Sequence, residues 1–258
     1  MEIIKDSIFD THAHFDDKRF EGMLDDLLSK MPESGVGAII NNAINLENSA
    51  AECIRLAEKY PFCYAAVGVH PELTEKGEKA NLEKLESLTA HEKVVAIGEI
   101  GLDYYWSKEN KEDQREEFIK QILLAKKLDL PVIVHDREAH EDTLNILKEY
   151  KPKGTVHCFS GSVEMAKEIL KLGMYIGIGG VVTFNNAKKL VNVVKEIPLE
   201  RILLETDAPY LSPVPFRGEI NDSSRLFFVA EKIAEIKNTD TKSVLSVTKQ
   251  NAKKLYNI

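Results

Sequence analysis

An eightfold alternation of short apolar runs with longer amphipathic stretches constrains this chain more than any other feature. The apolar runs fall at residues 7–13, 37–43, 63–69, 94–98, 131–134, 155–158, 174–177 and 201–206. They are rich in β-branched residues and nearly continuous, the pattern of parallel strands buried on both faces. Between them apolar residues recur every three or four positions, as at Phe118, Ile122, Ala125 and Leu128, which marks one face of a helix. Helices are expected at 19–31, 47–59, 81–91, 111–128, 139–150, 163–172, 185–196 and 222–237. A further C-terminal helix is expected at 241–255, after the turn Asn238-Thr239-Asp240.

The expected fold class is therefore α/β, a single-domain (β/α)8 TIM barrel with an additional C-terminal helix, spanning residues 1–258. A chain of 258 residues with 43% hydrophobics matches the roughly 250 residues such barrels use. A doubly wound open sheet would place a glycine-rich nucleotide loop after the first strand, where His12-Ala13-His14 stands instead. No linker or composition shift divides the chain.

Acidic residues outnumber basic ones by 42 to 34, a net charge of −8, which argues against broad electrostatic attachment to nucleic acid. A cleft where metal ions and a few arginines hold phosphate locally stays compatible with that charge. No window approaches the roughly 20 apolar residues of a membrane span, and the N-terminus lacks the layout of a secretory signal. Cys53, Cys63 and Cys158 form no CxxC pair and read as reduced, packed thiols. A cytoplasmic location without an obligate protein partner is the expectation.

Chemistry-bearing side chains gather at the C-terminal ends of the expected strands: His12, His14, His70, Glu99, His135, His157 and Asp207. Barrels build their active sites on that face. Strand alternation puts His12 and His14 on one side of their strand, within reach of one metal. With seven histidines in the chain, that pair alone specifies little. Glu99 ends Val95-Ala96-Ile97-Gly98-Glu99, where a buried carboxylate needs a partner or a metal. Glu205 and Asp207 are expected on one face of the last strand. His91 and His140 fall on helices, look solvent-facing and receive no role. Imidazoles mixed with carboxylates suit zinc, manganese or iron better than calcium. The set suffices for two divalent cations, zinc favoured, with Glu99 placed to bridge them.

These residues stand in motifs that resemble the TatD family of metal-dependent deoxyribonucleases, within the amidohydrolase superfamily. The motifs run in order along the chain. They are Asp10-Thr11-His12-Ala13-His14, Gly68-Val69-His70-Pro71, Gly98-Glu99-Ile100-Gly101-Leu102-Asp103-Tyr104, Val134-His135-Asp136-Arg137, His157-Cys158-Phe159-Ser160-Gly161 and Glu205-Thr206-Asp207-Ala208-Pro209-Tyr210. The resemblance implies metal ligation by His12, His14, Glu99, His135, His157 and Asp207, and 3′-to-5′ exonuclease action. Many superfamily members bridge their metals with a carboxylated lysine from strand four; here Lys93 lies at the opposite end of that strand. The chain keeps Pro213, Arg217, Gly218 and Asn221 of a family segment but continues Asp222-Ser223, where a proline is common.

The expected function is hydrolysis of nucleic-acid phosphodiesters, single-stranded DNA favoured, with zinc, manganese, magnesium or iron as the cation. Asp207 is the candidate general base and Glu205 the group that orients a ligand histidine. His70, Arg137 and Arg217 are candidates for phosphate contact. Tyr104, Tyr105 and Trp106 either stack on unpaired bases or pack their loop against the barrel. The alternatives are an ester or amide hydrolase, such as an aminoacyl-tRNA deacylase or a lactonase, or a non-catalytic metal-binding scaffold.

Overall fold

The computed structural model describes residues 5–75, 79–106 and 109–258. Eight parallel strands follow one another around a barrel in sequence order: β1 (Ile8–Ala13), β2 (Val36–Asn42), β3 (Cys63–Val67), β4 (Val94–Asp103), β5 (Val132–Arg137), β6 (Gly154–Val156), β7 (Tyr175–Ile178) and β8 (Ile202–Leu204). The ring closes through the pairing of Ala13 with Ala208 and through the amides of Thr206 and Asp207, which donate to the His12 carbonyl. This is the expected (β/α)8 TIM barrel.

The outer layer comprises α1 (Leu24–Lys30), α2 (Asn48–Lys59), α3 (Pro71–Glu75), α4 (Leu82–Thr89), α5 (Lys111–Lys127), α6 (His140–Tyr150), α7 (Val163–Lys171), α8 (Lys188–Glu196) and α9 (Leu226–Lys237), followed by α10 (Thr241–Tyr256). Side-chain caps set several starts: Asn81, Ser162 and Asp240 each accept an amide from the first turn that follows.

Alternate strand residues divide into two apolar layers, as the period of two requires. Ile8, Ile39, Ala65, Ile97, Val132 and Ile202 belong to the large layer that packs under the helices. Phe9, Ile40, Ala66, Ala96, Ile133 and Leu203 fill the barrel interior. Ala252, Leu255 and Tyr256 of α10 complete that interior cluster, with the Phe9 and Tyr256 ring centroids 6.3 Å apart. The additional helix thus plugs one end of the barrel and leaves the other end for the site.

Three expectations need correction. The helix expected at 19–31 is a 3-10 turn, Lys18–Phe20, followed by α1, and the short α3 was not anticipated. β4 does not stop at Gly98; it runs to Asp103 because Ile100, Gly101, Leu102 and Asp103 pair with Val134 to Arg137 of β5. β8 ends at Leu204, two residues earlier than expected, since Thr206 and Asp207 turn their amides to β1.

Candidate metal centre

The interior parity of the strands carries the functional side chains to the open end. His135 continues the side of Ile133, whereas Asp207 lies beyond the end of β8, in a left-handed backbone conformation that sets its direction apart from the strand's alternation. In β1 and β4 the register is irregular, between Asp10 and Ala13 and between Ile97 and Ile100. These shifts fall on His12 and Glu99, and such irregularities re-aim a side chain that regular alternation would send elsewhere.

Glu99 lies at the centre, 2% exposed, and its two oxygens face different groups. Oε2 lies 3.3 Å from His12 Nε2 and 3.4 Å from His14 Nε2. Those two nitrogens are 3.0 Å apart, and Asp207 Oδ1 stands 3.7 Å and 3.4 Å from them. Oε1 lies 2.7 Å from both His135 Nδ1 and His157 Nε2, which are 3.4 Å from each other, and 3.6 Å from His70 Nε2. The structure therefore brings His12, His14, Glu99, His135, His157 and Asp207 together, with His70 at the margin.

The donor set fits a divalent cation. Metal bonds of about 2.1 Å give ligand-to-ligand edges of about 3.0–3.4 Å, close to most of these separations. Tautomers agree with this reading. His14 Nδ1 lies 2.9 Å from the Asn42 carbonyl, and that nitrogen must carry the proton, which leaves the Nε2 lone pair aimed at the cluster. His135 Nε2 lies 2.9 Å from Asp103 Oδ2, so its Nδ1 lone pair points at the cluster likewise. His70 is the opposite case: its Nδ1 accepts the Glu72 amide at 3.1 Å, so in the neutral ring the proton sits on Nε2. His70 therefore presents a donor, although Nε2 stands where a ligand could.

Charge follows from the same contacts. Burial works against ionisation of Glu99, but His157, His12 and His70 hold its carboxyl well below the usual range. Burial opposes a charge on Asp207 too, and His14 beside it keeps its carboxyl low. For His14, burial lowers the pKa, but Asp207 and Glu99 outweigh it and hold the imidazole well above its usual value. His135 and His157 are raised against burial in the same way, by Asp103 with Glu99 and by Glu99 with Glu205. Burial dominates at His12 and His70 and lowers both.

The cluster floors a cavity of about 1050 Å³ whose wall includes His70, Trp106, Arg137 and Asp207. Pockets for drug-sized ligands span about 300–1,000 Å³, so this cavity stands at the upper end of that range. His12 is fully buried beneath it. Arg217 is not brought there: its guanidinium stacks on Phe184, 3.6 Å from the ring centroid, outside the cavity wall. Glu205 and Asp207 do not share surroundings. Asp207 opens to the cavity, whereas Glu205 is buried, accepts the Cys158 amide and lies 3.7 Å from His157 Nδ1. Gly177 makes its room, since a Cβ there would fall 2.0 Å from Glu205 Oε2.

Two acidic residues were missed as individuals. Asp103 faces His135, and Asp16 lines the cavity while accepting the Ser49 hydroxyl at 2.5 Å. Asp103 is legible once β4 is extended, because 99, 101 and 103 share one side of a strand. Tyr104 is buried and donates to Asp142 at 2.7 Å, a packing role, whereas Trp106 is 60% exposed. His140 is not simply solvent-facing; its Nδ1 lies 2.7 Å from Asp136. Lys93 reaches the Pro61 carbonyl at the far end of the barrel. No helix among the described residues is long and apolar enough to cross a membrane.

A family profile described as TatD related DNase matches residues 9–257. The metal-dependent hydrolase YabD of Bacillus subtilis is 44% identical over 254 residues, covering 97% of this chain and 99% of that one. The crystal structure of YjjV, a TatD homologue from Escherichia coli, superposes with a TM-score of 0.91 at 36% identity, covering 98% and 99% of the two chains. A TatD-family hydrolase from Entamoeba histolytica gives 0.86 at 27% identity over the same shares. With the barrel, the donor cluster and these relatives in agreement, the chain belongs to the TatD family of metal-dependent hydrolases.

Proposed function

We propose that this protein hydrolyses nucleic-acid phosphodiesters as a 3′-to-5′ exodeoxyribonuclease on single-stranded DNA. The observation that carries the reading is the division of donors between the two oxygens of Glu99 at the floor of an open cavity. Two divalent cations suit that division, zinc before manganese, magnesium or iron, because imidazoles dominate the set. His12, His14 and Asp207 would hold one, His135 and His157 the other, and Glu99 would bridge them. Bound there, the cations supply Lewis acidity toward a phosphoryl oxygen and bring the pKa of water toward neutrality.

The chain's own groups do the rest. Asp207 is the cavity-facing carboxylate of the cluster and accepts the proton of the attacking water. His70 Nε2–H and the Arg137 guanidinium donate to non-bridging phosphate oxygens. Asp103 and Glu205 orient His135 and His157. The cavity mouth admits one strand more readily than a duplex, and the 3′-to-5′ direction rests on the family resemblance.

The test incubates metal-loaded protein with end-labelled single-stranded DNA, duplex DNA and RNA. A ladder shortening from the 3′ end, fastest on single-stranded DNA, is expected. Failure to cleave any nucleic acid, together with hydrolysis of aminoacyl esters or lactones, would overturn it.

A further inference from the structure

The cavity wall is electrically lopsided. Its β1–β2 side carries Asp16, Asp17 and Glu52 against Lys18 alone, whereas Arg137 stands at the end of β5. Among the described residues Arg19, Arg137, Arg201 and Arg217 form no ion pair, while Arg55, Arg115 and Arg225 each pair with carboxylates. Each of these four guanidinium groups without an ion pair lies over an aromatic ring instead. Of these four, only Arg137 lines the cavity. Its neighbour Asp136 is already engaged, by His140 Nδ1 at 2.7 Å and by the Thr143 hydroxyl at 3.2 Å.

Arg137 rests 4.0 Å from the Tyr105 centroid and 5.5 Å from that of Trp106, and the two rings meet edge to face. Stacking leaves the rim of a guanidinium, with its N–H donors, open to a ligand. Among the described residues Trp106 is the most exposed of the large hydrophobic side chains, at 60%, and it forms part of the cavity wall. An indole held at the lip of a polar site, beside a cation without a carboxylate, suits a ligand that is both planar and anionic.

Resting on the nucleic-acid reading above, we infer that Trp106 and Arg137 form a nucleotide station beside the scissile phosphodiester. One base stacks on the open indole face and the adjoining phosphate meets Arg137, so the strand leaves the cavity over the β4 and β5 loops, away from Asp16, Asp17 and Glu52. Base stacking on an aromatic side chain tolerates any sequence, because every base presents a π face.

Trp106 is the only tryptophan in the chain, so its fluorescence reports the station directly. Metal-loaded protein is titrated with a short oligothymidylate carrying phosphorothioate linkages and with an abasic oligomer of equal length and charge. Quenching by the first and little by the second is expected. In parallel, Trp106→Ala should raise KM for single-stranded DNA about tenfold or more with kcat less affected, and Trp106→Phe should recover most of that loss. Equal quenching by both oligomers, or a KM for Trp106→Ala within about twofold of wild type, would overturn the station while leaving nuclease activity standing. If wild type neither binds nor cleaves the oligothymidylate, the station falls together with the nuclease reading.

Discussion

Asp10 is fully buried where β1 meets β8, and replacing it tests how the barrel seam holds the metal centre. Its Oδ2 accepts the Thr206 hydroxyl at 2.7 Å and the Ser223 hydroxyl at 2.6 Å. Its Oδ1 accepts the amides of Thr206 at 3.0 Å and His12 at 3.2 Å. Asp10→Ala leaves four buried donors. Thr206 has long alternatives on the His12 carbonyl, at 3.3 Å for both its amide and its hydroxyl. The His12 amide and the Ser223 hydroxyl lose the acceptor that Asp10 supplies. At about 1–3 kcal/mol per orphaned group, the cost is about 4 kcal/mol, a large share of a typical 5–15 kcal/mol. While wild-type Asp10 is still protonated, at acid pH, Asp10→Asn should cost about 1 kcal/mol or less, since its oxygen serves the two amides and its NH2 donates to hydroxyls that can turn.

The pH dependence separates the two effects. Burial pushes Asp10 up to about 7 from 3.8, against the pull of Ser223, Thr206 and His12. Between those values the folded state holds the extra proton. Stability relative to the neutral asparagine variant is thus fully present below about 3.8 and is lost as pH rises to about 7. At about 1.4 kcal/mol per pH unit the loss totals roughly 4 kcal/mol. Urea unfolding of metal-free wild type, Asp10→Asn and Asp10→Ala across this range measures both. An unchanged urea midpoint for Asp10→Ala at the acid end of this range, or parallel pH curves for wild type and Asp10→Asn, would refute the reasoning.

Four further outcomes are expected. Asp207→Asn should keep the fold and lower kcat about 10²–10⁴-fold, read by single-turnover kinetics; an unchanged rate would remove Asp207 as the base. Glu99→Gln should reduce the bound metal measured by mass spectrometry after dialysis, because one oxygen is lost from the residue that both donor groups share. Cation uptake near pH 7 should release protons, since neighbouring carboxylates raise His14, His135 and His157; affinity then falls as pH falls, and calorimetry in buffers of different ionisation enthalpy counts the protons. Gly177→Ala should displace Glu205 from the Cys158 amide and weaken cation binding about 10- to 100-fold, with an unshifted binding isotherm as the contrary result.

The barrel and the face of the site were legible in the order of the amino acids alone. Eight apolar runs could be counted without knowing their neighbours, because buried parallel strands need continuous apolar residues and their covering helices need a 3.6-residue stripe. His12, His135, His157 and Asp207 could be located because barrel strands all end on the same face. What alternation could not supply was direction. His12 and Glu99 reach the centre through register shifts that arise only when β1 pairs with β2 and β4 with β5. The extension of β4 to Asp103, and with it the partner of His135, depends on the same pairing. Hydrogen bonds from distant segments decided the remaining roles. The Glu72 amide makes His70 a donor, Gly177 opens a recess for Glu205, and Ser223 and Thr206 tie Asp10 into the seam, 213 and 196 residues away along the chain. Arg217 shows the converse, for a basic residue in a family motif ends on Phe184 rather than in the cavity. Local periodicity reports which residues are buried, and only the packed barrel decides what each buried group faces.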